Sequence, residues 1–387
     1  MRLTTMGVAE NFARPIVGRI AFQASGNPAE DIFVAAADQI EDSVLRRFKA
    51  LVTPSLVSRD VATRVQVPVV HSVRHHDHFR SGDVIVLHPK TGFVRTIFRP
   101  DSPQNALFIT DRCNSNCLMC SQPPKDHDDT QQSLDLNLQL IPYLPTDLTY
   151  LGITGGEPTL LGKDLFRILT ALKSRLPDTD IHMLTNGRTF ARRAFTADFA
   201  QVAPSRFSVG IPLYSDSATE HDHIVQAKSA FDQTVIGIHE LARAGVVTEI
   251  RIVLHRLTIP RLRNLAEYIC RNFPFVVHVA LMGLEPTGYA PRNWKELWID
   301  PVDYQTELED TVEIFSTRGL NLSIYNSQLC LLRRSLWRYA RKSISDWKNI
   351  YLPECEACSV FERCGGFFKS GERLHSPNIK SLHCDTI

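Results

Sequence analysis

From residue 106 onward, short apolar runs alternate with stretches in which apolar residues recur every three or four positions. Apolar runs bounded by turn residues indicate buried strands, and the three-to-four spacing indicates amphipathic helices. Repeated units of this kind fold into a parallel sheet covered by helices. We predict strands at residues 106–110, 149–154, 180–185, 206–211, 249–254 and 276–282, with intervening helices that include residues 165–176, 230–244 and 262–273. The predicted fold class is therefore α/β, with a partial (β/α)6 TIM-type barrel whose chemistry lies at the C-terminal ends of the strands.

Residues 1–100 do not share this alternation. We predict a strand at residues 16–23, a helical piece at 29–51, and a hairpin of residues 83–88 and 93–98. This region is interpreted as a small N-terminal accessory domain, before a barrel at residues 101–320. It contains a cluster of histidines, interpreted as a solvated polar loop because its spacing matches no known ligand set: His71, His75, His76 and His78.

The composition argues against a nucleic-acid-binding protein and against a membrane protein. The chain has 387 residues, 43% of them apolar and 22% charged, with a formal net charge of +1. A near-neutral balance gives no electrostatic reason to expect nucleic acid as a partner. No apolar stretch has the length of a signal peptide core or of a membrane span, so we expect a cytoplasmic protein with no membrane partner. In a reducing compartment, nine cysteines favour metal or redox chemistry over disulfides.

Three of these cysteines, Cys113, Cys117 and Cys120, follow the first predicted strand with Cys-x3-Cys-x2-Cys spacing. Three thiolates on one loop can hold three irons of a cubane and leave the fourth iron open to a small molecule. A zinc loop is the alternative. Structural zinc, however, favours Cys-x2-Cys pairs joined by a further local ligand.

A second motif, Gly155-Gly156-Glu157-Pro158, follows the second predicted strand. Its glycines permit close approach of a ligand to the backbone, and Glu157 supplies a carboxylate beside them. Because the two motifs follow adjacent strands, we expect them to face one ligand.

Together the two motifs resemble the radical SAM superfamily. The resemblance implies a 4Fe-4S cluster on Cys113, Cys117 and Cys120, with S-adenosylmethionine (SAM) chelating the open iron and yielding a 5'-deoxyadenosyl radical. It further implies that the Gly155–Pro158 backbone, with Glu157, contacts the methionyl ammonium of SAM.

The same resemblance implies further SAM contacts. Asn186 closes the third strand and Ser208 lies in the fourth, at positions whose side chains reach the ribose or carboxylate. Met119 stands where the superfamily usually has an aromatic residue, so its adenine contact would use the backbone and the thioether. Around the rim, His255 and Glu285 end the fifth and sixth strands, where they either line the substrate cavity or form a charged rim.

A second group of cysteines lies beyond the barrel, at residues 321–387. The spacing Cys355-x2-Cys358-x5-Cys364, followed by two glycines, predicts a second metal site in a C-terminal iron-sulfur extension. It resembles the SPASM cluster motif, except that Phe368 replaces a further cysteine. We therefore expect one auxiliary 4Fe-4S cluster, with a four-cysteine zinc site as the alternative.

The fourth ligand of this site is either Cys330 or Cys384. The position of Cys384 matches the last cysteine of the SPASM motif. We favour Cys330, because the apolar residues around it bury it, whereas Cys384 lies three residues from the chain end.

At family level, residues 109–124, 343–348 and 364–368 resemble the His-Xaa-Ser system radical SAM maturase, C subunit. This resemblance implies a radical SAM peptide maturase that abstracts hydrogen from a ribosomally made precursor. Its partners would be a small precursor with His-Xaa-Ser repeats, a sister radical SAM maturase, and an electron donor such as flavodoxin or ferredoxin.

Two other functions are open. One is a radical SAM enzyme that acts on a small metabolite or nucleoside in a closed cavity. The other is a non-catalytic iron-sulfur subunit that supports a sister maturase. Retention of both the Gly-Gly-Glu-Pro motif and the three barrel cysteines argues against the second.

Overall fold

The computed structural model describes residues 3–23, 28–34, 47–54, 66–342 and 350–383. The strands before residue 100 are β1 Thr4–Met6, β2 Val8–Glu10, β3 Ile16–Ala21, β4 Asp31–Val34, β5 Ala50–Val52, β6 Val69–His71, β7 Val84–Leu87 and β8 Phe93–Phe98. The later strands are β9 Ala106–Phe108, β10 Tyr150–Thr154, β11 Asp180–Leu184, β12 Phe207–Pro212, β13 Val247–Leu254, β14 His278–Gly283 and β15 Leu322–Tyr325. The helices are α1 Thr130–Leu140, α2 Lys163–Arg175, α3 Arg193–Val202, α4 Ala218–Val225, α5 Ala230–Arg243, α6 Leu262–Asn272, α7 Trp294–Leu297 and α8 Gln305–Thr317.

Strands β9 to β15 form one sheet in chain order, and every neighbouring pair is parallel. The predicted α/β fold with a partial barrel is confirmed. A seventh strand, β15, extends the sheet beyond the six predicted units. Within the described residues β9 and β15 are the two edges of this sheet, so the barrel is open between them.

The helices cover the outside of this sheet through regular apolar stripes. Helix α2, for example, buries Leu165, Ile168, Leu169 and Leu172, which share one face of the helix. Burying each such side chain contributes about 1.5–3 kcal/mol, so four of them outweigh the weak intrinsic preference of a short helix. None of the helices in the described ranges has the length and apolar character that crossing a bilayer requires.

The N-terminal strands form a separate mixed sheet in the order β1-β8-β7-β3-β4-β5-β6-β2. The predicted strand at 16–23 and the hairpin of β7 and β8 are confirmed. The helix predicted at 29–51 is wrong at both of its ends, where β4 and β5 pair in parallel, and residues 35–46 lie outside the described residues. Both strands are fully buried and, apart from Asp31, apolar, and periodicity alone cannot distinguish such runs from a buried helix.

The histidine cluster within this sheet does not converge. His71 is buried, and its Nδ1 lies 3.0 Å from Ser72 Oγ, while His75 and His76 are exposed. Among the described residues, none of these histidines belongs to a set of three or more side chains whose ligand atoms are close enough to bind one metal ion. The interpretation as a polar loop holds for the exposed members.

Candidate active site

The Cys loop, residues 111–120, follows β9 and is held by distant parts of the chain. The amides of Asn116 and Leu118 donate to the carbonyls of Val225 and Ile224 at 3.0 Å each, at the end of α4. On its other side, Tyr289 N donates to Cys120 O at 2.9 Å, and Asn293 Nδ2 donates to Leu118 O at 2.7 Å. The loop is therefore fixed at the C-terminal edge of the sheet, where barrel chemistry takes place.

The three thiols of this loop lie in partly buried positions close to one another. Burial raises the pKa of Cys113 to about 11, with a further rise from the Glu157 carboxylate. Burial also raises the pKa values of Cys117 and Cys120, and the neighbouring thiols add to the rise at Cys117. Thiols in such surroundings become ligating thiolates only when a bound metal supplies positive charge.

The three thiols do not form a preformed group of zinc size. Four sulfurs around one zinc ion lie roughly 3.8 Å apart, since each Zn–S bond is about 2.3 Å. In the part of the chain that the structure describes, no three cysteine sulfurs lie within 4.8 Å of one another. The donor set itself, three thiolates on one loop, is the kind that holds a 4Fe-4S cluster with one iron left open.

The two glycines of the second motif let its backbone pack against the Cys loop. Gly155 has φ +146°, and a Cβ there would lie 2.7 Å from Thr110 O. A Cβ on Gly156 would lie 2.1 Å from Arg112 O, a distance that no side chain tolerates. Pro158, the last residue of the motif, begins a short 3-10 turn. The two motifs are therefore adjacent, as the sequence predicted.

Glu157 has a different role from the one predicted. Its side chain is fully buried, and Oε1 accepts from Thr159 N, Thr159 Oγ1 and Thr185 Oγ1 at 2.6–3.1 Å. Oε2 accepts from Asn186 N at 2.6 Å. Burial raises the pKa of Glu157, and these four donors oppose the rise. The carboxylate thus ties the end of β11 to the motif, and any contact of the motif with a ligand ammonium falls to its backbone.

Asn186 and Arg188, after β11, hold the start of the Cys loop. Asn186 Nδ2 lies 2.5 Å from Asn114 Oδ1 and 3.9 Å from Cys113 Sγ. The Arg188 guanidinium donates to Asn114 O and, at 3.1 Å, to Ser115 Oγ. Asn186 is therefore next to the cysteines, and its contact with SAM stays a prediction. The contribution of Arg188 was missed, although an arginine directly after the Asn-Gly turn was a visible signal.

Met119 and Ser208 contact protein side chains, and their predicted SAM contacts stay predictions. Met119 is 7% exposed and packs with Tyr214, Ala290 and Leu297, so its thioether helps to anchor the loop. Ser208 is the second residue of β12, lines the barrel cavity, and its Oγ lies 2.9 Å from His182 Nδ1.

The barrel encloses a cavity of about 890 Å³ that extends to the residues directly after the Cys loop. Ser121 and Gln122, directly after Cys120, line it at the C-terminal end together with Glu285, whereas Asp180 and Arg206 line its opposite end. Barrels of this type are usually filled by layers of large side chains. His255, in contrast, is fully buried against Tyr214 and does not line the cavity.

Glu249 is the central charged group of this interior. Burial alone would raise its pKa, but a hydrogen bond with His278 and the charge of Arg251 outweigh burial and lower the pKa to about 2. The distances are 2.8 Å from Oε2 to His278 Nδ1 and 2.7 Å from Oε1 to the Arg251 guanidinium. The group is therefore ionised throughout the neutral range.

This lowered pKa predicts a pH-dependent stability. Relative to the ordinary value of 4.5, a pKa of about 2 corresponds to about 3 kcal/mol, present above pH 4.5 and lost as the pH falls through about 2. Glu249→Gln should lower the free energy of unfolding by about that amount at pH 7, and by much less near pH 2.5. Urea denaturation at both pH values measures the difference. The control Glu240→Gln removes an exposed ion pair with Arg243 and should have little effect; an equal loss at both pH values for Glu249→Gln would contradict the assignment.

The C-terminal cysteines converge on a second site. Cys330, Cys355, Cys358 and Cys364 all line one small cavity of about 10 Å³, between Tyr351 and Lys380. The amides of Leu329 and Leu382 each lie 3.5 Å from a sulfur, of Cys364 and Cys358 respectively. Such N–H···S contacts are typical of iron-sulfur loops. Cys330 thus lies with the other three, whereas Cys384 lies outside the described residues.

Comparison with known protein families supports the assignment of the barrel. Residues 107–269 match the model of the radical SAM superfamily. This match includes the Cys loop and the Gly155–Pro158 motif, and it ends within α6. No curated protein matches the chain.

Solved structures resemble parts of the chain at low identity. Streptococcus suis SuiB bound to S-adenosylmethionine is 15% identical, with a TM-score of 0.45, over 58% of this chain and 50% of that one. A radical SAM methyltransferase from Sphaerobacter thermophilus is 16% identical, with a TM-score of 0.43, over 62% of this chain and 72% of that one. Coproporphyrinogen III oxidase (HemN) from Escherichia coli is 14% identical, with a TM-score of 0.46, over 57% and 54%. The chain thus spans half the length of SuiB.

Proposed function

We propose, from the premise that residues 107–269 form a radical SAM superfamily domain, that this enzyme modifies a ribosomally made peptide by hydrogen abstraction. When bound, a 4Fe-4S cluster and SAM supply one-electron reduction and a hydrogen-abstracting adenosyl group. The observation that carries the proposal is the position of the Cys loop at the mouth of the barrel cavity, where Ser121 and Gln122 follow Cys120.

The residues of the chain have distinct roles in this proposal. Cys113, Cys117 and Cys120 hold the cluster, and the Gly155–Pro158 backbone receives the SAM ammonium. Asn186 and Arg188 fix the loop that carries the first of these thiols. Reacting groups must be held near one another for selective abstraction, and a loop fastened on both sides provides that.

Two observations favour a peptide over a small molecule. The sheet is open between β9 and β15, and the cavity is lined at this opening by Ala106 and Tyr325, so an extended chain has a way in. In addition, four cysteines form a second site beyond the barrel, as the resemblance to peptide-modifying enzymes implies. The partners in this proposal are a precursor with His-Xaa-Ser repeats, a sister radical SAM maturase, and flavodoxin or ferredoxin as electron donor.

The proposal is tested by co-expressing this enzyme and the sister maturase with a His-Xaa-Ser repeat precursor. Mass spectrometry should find a mass loss or an internal crosslink in the precursor, because abstraction must leave a covalent change. The change should disappear when Cys113 is replaced by Ala. An unmodified precursor, with both enzymes cleaving SAM, would favour the small-molecule alternative.

A further inference from the structure

Several inward-facing positions of the barrel carry little or no side chain, and this leaves space for a ligand beside the polar groups of the interior. Ala106 and Gly152 face each other in the register of β9 and β10, and Gly210 pairs with Glu249 between β12 and β13. A Cβ on Gly210 would lie 2.7 Å from His182 Nε2 and 3.0 Å from Arg251 Cδ. The missing side chain at Gly210 thus leaves the space in which His182 and Arg251 approach each other.

A continuous polar array crosses the barrel at this level. His278 bridges Glu249 Oε2 at 2.8 Å and Ser323 Oγ at 3.0 Å. His182 lies 3.8 Å from Glu249 Oε1 and 2.9 Å from Ser208 Oγ. The array involves β11 to β15, so each of these strands contributes one member. Hydrogen bonds at both ring nitrogens fix the orientation of His278, and the hydrogen bond to Ser208 orients His182.

Arg251 lies next to this array, and its contacts leave some of its N–H donors unused. One of its guanidinium nitrogens donates to Glu249 Oε1 at 2.7 Å, and the other lies 3.1 Å from Met282 Sδ. A guanidinium has five N–H donors, and these contacts use two of them. The described residues offer no further partner to Arg251, whose side chain is 25% exposed and lines the cavity.

Few acceptors compete for the spare donors of Arg251. Among the described residues, Glu249 supplies the only carboxylate in contact with the guanidinium or with either imidazole. Asp180 lies at the far end of the cavity, paired with Arg206, and Glu285 lies at the opposite mouth. A carboxylate that enters the cavity can therefore be bound by the N–H groups that Arg251 does not use for Glu249.

We propose that Arg251 binds a carboxylate of the substrate inside the barrel and so determines which peptide segment is modified. The guanidinium fork matches a carboxylate in geometry, and its orientation is fixed before binding by Glu249 and Met282. The inference rests on the proposed function, because it assigns a specificity residue to the same cavity. The carboxylate belongs to an acidic side chain or to a free C-terminus of the peptide.

The test uses the reconstituted enzyme with SAM and three peptide probes. These are acetyl-Gly-Gly-Glu-Gly-Gly-amide, its Gln counterpart, and acetyl-pentaglycine with a free C-terminus. Dissociation constants are measured by ligand-observed NMR. We expect the wild-type enzyme to bind at least one carboxylate probe about tenfold more tightly than the Gln probe. The probe that binds more tightly than the Gln probe identifies the source of the carboxylate, an acidic side chain or a free C-terminus.

The variants Arg251→Gln and Gly210→Ala should lose this preference, and Arg251→Lys should retain only part of it because lysine lacks the fork. Arg206→Gln is the matched control, since Arg206 lines the same cavity but is engaged by Asp180 at 2.8 Å through two nitrogens. It should keep the preference. The inference is overturned if Arg251→Gln still prefers the carboxylate probe. It is also overturned if Arg251→Gln weakens the binding of SAM and leaves the binding of the probes unchanged, because the carboxylate bound by Arg251 would then be that of SAM. Formation of 5'-deoxyadenosine by the same wild-type sample reports separately on the proposed function.

Discussion

Replacement of Cys113, Cys117 and Cys120 together by Ala is expected to abolish reductive cleavage of SAM, while the C-terminal site keeps its iron. The reason is that the two cysteine sets lie on separate elements, the loop after β9 and the segment after β15. Chromatography of 5'-deoxyadenosine after reduction, together with iron analysis, measures both outcomes. The wild-type enzyme should hold about eight irons and the triple variant about four.

The control for this experiment is Cys270→Ala. Cys270 lies on α6, away from both cysteine sets, and it packs against the outer side of the main core. Its loss should leave both iron content and SAM cleavage unchanged. Formation of 5'-deoxyadenosine at the wild-type rate by the triple variant would refute the assignment of the Cys loop.

The second large effect concerns the auxiliary site. Cys330→Ala is expected to lower the iron content from about eight to about four, because it removes one of four thiolates at a site that, unlike the Cys loop, has no SAM to complete the coordination of the fourth iron. Cys384→Ala should keep the full content, since Cys330 lines the cavity shared by Cys355, Cys358 and Cys364. Iron analysis and electron paramagnetic resonance of the reduced protein distinguish the two variants.

The opposite result, with iron lost only in Cys384→Ala, would reverse the choice of ligand. Stoichiometric zinc in the wild-type protein would replace the cluster with a structural site. The Cys270→Ala variant again serves as the reference, since it removes a thiol without removing a candidate ligand.

The motifs were predictable because their chemistry needs particular residues at fixed spacing. The cysteine triplet and the Gly-Gly-Glu-Pro tetrad each follow a strand, and parallel strands bring such positions to one edge. Alternation of apolar runs likewise predicted the barrel. The helical interpretation of residues 29–51 failed at β4 and β5, because strands buried on both faces lose the period of two that would identify them.

Side-chain direction was the part that sequence could not supply. Glu157 was expected to face a ligand, but whether a carboxylate points into the site or beneath it depends on donors contributed by Thr185 and Asn186. The contact of Ser208 with His182 was not predictable either, because it follows from the register of β12 with β11. The array around Glu249 was missed for the same reason, since its members come from separate strands and share no local motif.

The arrangement of the three thiols on the Cys loop depends on hydrogen bonds from distant parts of the chain. The bond from Asn293 to Leu118 O joins residues 175 positions apart, and the contacts at Val225, Ile224 and Tyr289 are also remote in sequence. Contacts of such sequence separation form late, because long stretches of chain must be closed before they can be made. The arrangement of the thiols is therefore a property of the finished barrel. We therefore expect substitutions at Tyr289 or Asn293 to change iron binding at the Cys loop, although neither residue is a ligand.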